Sequence, residues 1–144
     1  MHGFTPRIGT SAPTSWGRDP TTTLSAVETL RLIILFIHLL GMAALLGGLF
    51  VQFSSQAKTV NAAMRDGAGT AFLAGLAAVG VLEADDADVD HAKIAVKLVI
   101  GLVVLALVMA NTRKERIGNA LFGTIFGLTV VNVAVAVFWS SAHA

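Results

Sequence analysis

Cysteine is absent from this chain of 144 residues. Disulfides, thiolate metal sites and thiol chemistry are therefore excluded, although nothing follows about compartment. Charge is scarce too. Asp, Glu, Lys and Arg make up 13% of the residues, where a soluble domain carries about 25%. A surface so poor in charge would aggregate in water. The net charge of +1 argues against a nucleic-acid partner, because a phosphate-binding surface needs clustered Lys and Arg. The first residues lack the apolar core of a cleavable signal peptide. Residues 1–24 instead contain Pro6, Pro13, Pro20, Gly3, Gly9 and Gly17, which predicts a disordered N-terminal tail.

What is present is apolar. Hydrophobic residues account for 55% of the chain, and the mean hydropathy is +0.76. They come in long runs rather than alternating patterns, so the lipid bilayer is the natural solvent. The pattern predicts an all-α fold: a transmembrane four-helix bundle over residues 25–144 behind the tail of 1–24.

The first helix is expected over about 26–53, with Ser25 and Glu28 as a capping box. At 1.5 Å per residue it is roughly 42 Å long, more than a hydrocarbon core of about 30 Å, so it must tilt or project. The second, 67–82, is rich in Gly and Ala and short for a span. An acidic loop follows, with Glu83, Asp85, Asp86, Asp88 and Asp90, the last placed to cap the third helix over 91–110. A basic loop, Arg113-Lys114-Glu115-Arg116, leads to the fourth helix over 117–139, where Trp139 sits as an interfacial anchor. Lys58 and Arg65 in the first loop join the basic third loop in predicting that both face the cytoplasm. Both termini and the acidic loop are then extracytoplasmic. Arg18 and Arg31 pull weakly the other way.

Polar residues within spans usually have a function or a partner. Three stand out: His38, Lys97 and Asn132. Arg31, His38, Gly41, Leu45, Gly48 and Gln52 share one small and polar face of the first helix, which should pack against other helices. Lys93, Lys97 and Gly101 form a stripe on the third helix. Asn132 lies on the fourth, below which Gly123-xxx-Gly127 has the form of a helix-packing motif. With antiparallel helices, His38, Lys97 and Asn132 fall in the same half of the bilayer and can meet around one polar pocket. Each also has a plainer explanation. His38 and Asn132 can be interhelical hydrogen-bonding groups, Lys97 can snorkel, and Met42 can be apolar filler rather than a soft copper ligand. No set of residues has the spacing of a metal centre.

The stretches His38-Leu39-Leu40-Gly41-Met42-Ala43-Ala44-Leu45-Leu46-Gly47-Gly48 and His91-Ala92-Lys93-Ile94-Ala95-Val96-Lys97-Leu98 resemble the first- and third-helix patterns of a broad group of small membrane proteins. That group includes copper-resistance D-type domains and membrane-embedded protoporphyrinogen oxidases. The whole chain looks closest to small four-helix integral membrane proteins of actinobacterial type. The resemblance to the oxidases implies haem b binding, with His38 and Lys97 or Lys93 as the matching residues. Their usual flanking aromatic residues are absent here, and the chain has no Tyr, which favours a non-enzymatic role.

Three functions follow as expectations. The first is an accessory or assembly subunit of a larger membrane complex, such as a respiratory one, or a homo-oligomer. The second is a haem- or copper-binding protein that uses His38. The third is a small transporter, for which Glu28 would have to act as the intramembrane acid although it lies at the capping turn.

Overall fold

Described in a computed structural model over residues 9, 20–84 and 90–139, the chain forms four helices: α1 (Pro20–Phe50), α2 (Ala62–Ala84), α3 (His91–Asn111) and α4 (Asn119–Phe138). All four are long and apolar enough to cross a membrane. Many of their large apolar side chains point outward, among them Leu32, Phe36, Leu39, Leu73, Val99 and Phe138. Such a surface has lipid as its solvent, and the chain is a multi-pass membrane protein.

The helix ends differ from the sequence expectation in ways that local hydrogen bonds explain. α1 begins at Pro20, so Pro20–Leu24 belong to the helix rather than to the tail, and Ser25 lies inside it rather than capping it. Proline suits a first turn because its missing N–H would have no intrahelical partner there. α1 stops at Phe50 rather than at 53. Beyond it the backbone tightens to i−3 bonds, Gln52 N to Leu49 O and Phe53 N to Phe50 O. The second helix is not short: it starts at Ala62 instead of 67, because Asn61 Oδ1 accepts from Met64 N at 2.9 Å and caps it. Arg65 and Asp66, assigned to a loop from their polarity, pair with each other at 2.7 Å on the exposed side of its first turn. α4 starts at Asn119 rather than 117, because Ile117 N donates to Lys58 O at 2.8 Å and ties the first loop to the third. As expected, Asp90 caps α3: its Oδ1 accepts from Lys93 N at 3.1 Å. Its Oδ2 also accepts from Trp139 Nε1 at 3.0 Å, which fastens the end of α4 to the start of α3. Asp85, Asp86 and Asp88 lie outside the described residues.

Glycine sets the closest contact in the bundle. A Cβ on Gly41 would lie 2.5 Å from Ala71 N, and one on Gly67 would lie 2.5 Å from Leu45 N. The α1 and α2 backbones therefore touch, as small residues permit within membranes. Gly123 and Gly127 behave otherwise. Nothing described lies within 4 Å of a Cβ on either, so the expected packing motif joins no other helix among the described residues.

The two ends of the bundle are filled unequally. At the end where the basic loops meet, Leu45, Leu49, Met64, Val104, Val108, Ile117, Phe122 and Ile125 form the buried core. Phe50, Phe53, Phe122 and Phe126 close it with edge-on ring contacts at 4.9–5.6 Å. Gln52 is buried there, with Nε2 donating to Gly48 O and Oε1 accepting from Thr59 N. Towards the other end Ala71, Gly75, Ala78 and Gly101 are small, and although Phe72, Leu82, Ile94 and Leu98 also face inward there, the space between the helices stays open.

Candidate functional site

That open half is a cavity of about 310 Å³, at the low end of the roughly 300–1,000 Å³ range of small-molecule sites. Leu45, Val104 and Thr129 form the floor, and Glu28 and Arg31 stand at the far end of its α1 wall. His38, Lys97 and Asn132 all line it. The structure thus brings the three residues singled out in the sequence to one space, from three different helices.

His38 lies near the middle of α1 and is partly buried. Its Nδ1 is 2.7 Å from Ala71 O on α2. A carbonyl has no proton to give, so Nδ1 carries the hydrogen and donates it. In the neutral ring Nε2 then holds the lone pair. Gly75 makes this approach feasible: a Cβ there would meet the imidazole Cε1 and Nδ1 at 3.3 Å. The Nδ1 edge of the ring therefore faces α2. Sequence reasoning identified His38 but not Ala71 and Gly75 as its setting. Their spacing of four, one small residue above another on a helix face, was the available signal.

Lys97 is partly buried and forms no ion pair or hydrogen bond among the described residues. Asn132 Oδ1 is buried and has no hydrogen-bond partner among them either. Across from it, a Cβ on Gly101 would lie 3.9 Å from Asn132 Nδ2, so Gly101 leaves room beside the amide. A buried polar atom without a partner is costly and calls for an explanation. Lys97 and Asn132 both line the cavity, where an acceptor on an occupant can satisfy the ammonium of Lys97, whereas Asn132 Oδ1 would need a donor.

Of the remaining expectations, Arg31 is exposed and pairs with Glu28 at 3.6 Å. Met42 also lines the cavity. His91 pairs with Glu83 at 3.1 Å at the surface. No group of three or more His, Cys, Asp or Glu side chains able to hold a metal ion occurs among the described residues. Compared with protein-family models, curated proteins and solved structures, the chain matches none.

Proposed function

We propose that this protein is a membrane-embedded binding protein whose cavity holds an amphipathic molecule, and that the occupant which uses His38 best is a haem-type iron porphyrin. The observation carrying this reading is the bond from His38 Nδ1 to Ala71 O. Metal-ligating histidines donate their second ring nitrogen to a carbonyl or carboxylate in this way, which fixes the tautomer and leaves Nε2 for the metal. A porphyrin supplies four ligands itself, so one imidazole suffices. A self-contained copper site would need more donors than His38 and Met42 provide. When bound, the group would supply redox or gas-binding chemistry. The chain's own part is to hold it by His38, to exclude water with the apolar floor, and to offer Lys97 either as a charge partner or, as the neutral amine, as a second ligand.

The basic end of the bundle faces the cytoplasm in this reading, placing the cavity in the extracytoplasmic half of the plasma membrane. Protein purified from haem-replete cells should show a Soret band with about one haem per chain, and His38→Ala should lose it while keeping its helix content. A wild-type spectrum without a Soret band, before and after haem addition, would exclude the porphyrin.

A second reading, an accessory subunit of a larger membrane complex or a homo-oligomer, is favoured by the outward Gly123 and Gly127 on α4. Crosslinking of a Gly127→Cys variant in native membranes tests it. Adducts with a second copy or with another subunit support that reading, and monomer alone argues against it.

A further inference from the structure

The cavity has a second polar locus apart from His38, and the helix geometry sets its depth. Lys97 lies about 9 Å along its helix from the α2–α3 loop end, at 1.5 Å per residue. His38 is about 18 Å from the start of its span. Lys97 is thus nearest the membrane face at that end, while Asn132, which lies beside Gly101 one turn further along α3, and His38 lie deeper. Beyond His38 the cavity ends in Leu45, Val104 and the buried Thr129, whose hydroxyl is already committed to Ile125 O at 2.7 Å. The lining is therefore polar near the interface and apolar towards the membrane centre, the orientation in which an amphipathic molecule sits in a leaflet.

We propose that Lys97 and Asn132 form a head-group subsite for a carboxylate, so that the cavity takes membrane-soluble amphipathic acids. A partly buried ammonium without a counter-ion is matched by an anion, and charge-assisted hydrogen bonds are the strong ones. The Asn132 amide, beside Gly101 one turn further along, adds an N–H donor to the same cavity lining, so that a carboxylate between the two groups can accept from both. Arg31 is less suited, because Glu28 already pairs with it. This inference rests on the cavity's being a binding site, as proposed above, but not on iron ligation at His38. Long-chain acids and the carboxylates of a porphyrin both belong to the class.

The test is fluorescence titration of the full chain, in nanodiscs of neutral phosphatidylcholine, with cis-parinaric acid and with its methyl ester. The acid should bind saturably at about one per chain, and the ester about tenfold more weakly, the loss expected for one charge-assisted contact. Lys97→Gln should bring the acid to the level of the ester, and Lys97→Arg should restore the difference. Butyrate, which has the head group without the chain, should fail to compete. Equal binding of acid and ester by the unmutated protein would overturn the proposal. So would a difference that survives Lys97→Gln, or effective competition by butyrate. Failure of haem binding with the acid preference intact would remove the porphyrin and leave the subsite standing.

Discussion

At the scale of single residues, glycine positions divide sharply by what surrounds them. Gly41 and Gly67 sit where an added Cβ would press on backbone at 2.5 Å, and a helix backbone cannot move as the end of a flexible side chain can. Gly41→Ala or Gly67→Ala should cost at least about 1–3 kcal/mol through overpacking. Gly123→Ala meets open space and should be neutral or stabilising by up to about 1 kcal/mol, from helix propensity alone. Thermal melts of the three variants in one detergent check the contrast, and equal melting temperatures would refute it. Gln52 is a second such residue. Gln52→Leu would strand Thr59 N, whose bond to Oε1 is 2.7 Å, and should cost about 1–3 kcal/mol. Of the residues of interest, His38, Lys97 and Asn132 were legible in the sequence because polarity inside an apolar run is conspicuous. Ala71 and Gly75 were not, since small residues are common in such helices and only the neighbouring helix reveals which of them an imidazole approaches.

At the scale of elements, the four helices could be read from the apolar runs, as could the Asp90-capped start of α3, but the starts of α1, α2 and α4 could not. The start of α2 was placed too late because Arg65 and Asp66 read as loop residues. In the structure they neutralise each other on the surface of its first turn, and Asn61 ends the loop before them. Asn61→Ala should therefore cost about 1 kcal/mol and leave Gly48 O with Gln52 Nε2 as its side-chain donor, since Asn61 Nδ2 also donates to it at 2.9 Å. Faster hydrogen exchange at Ala63 and Met64 would locate the effect, and unchanged exchange there would speak against the cap. The Gly123-xxx-Gly127 motif shows the opposite limit. Its spacing is visible in sequence, but spacing alone does not say whether the partner helix belongs to the same chain.

For the whole molecule, the unequal filling of the bundle joins fold to function. Bulky apolar and aromatic residues gather where the basic loops meet, and small residues on α2 and α3 leave the other half open. That the polar trio shares one half of the bilayer followed from alternating helix direction alone. That a cavity exists there depended on side-chain sizes on four helices at once, which no single stretch of sequence displays. The basic loops lie together, with Arg116 donating to Gln56 O at 3.2 Å. With the orientation proposed here, Lys114→Cys should be labelled only from the cytoplasmic side and Asp88→Cys only from the outside. Reversed labelling would invert the protein and move the cavity to the inner leaflet.

If the cavity presents the Nε2 of His38 to an occupant's metal, replacing that imidazole by a free one reads the contact out. His38→Gly should remove the imidazole and leave a space that free imidazole can enter. With haem supplied, resonance Raman spectra of the ferrous protein should show an iron–imidazole stretch in the wild type, none in His38→Gly, and its return, together with haem retention, when imidazole is added. An iron–imidazole stretch that persists in His38→Gly without added imidazole would contradict the account, since another residue would then be the ligand.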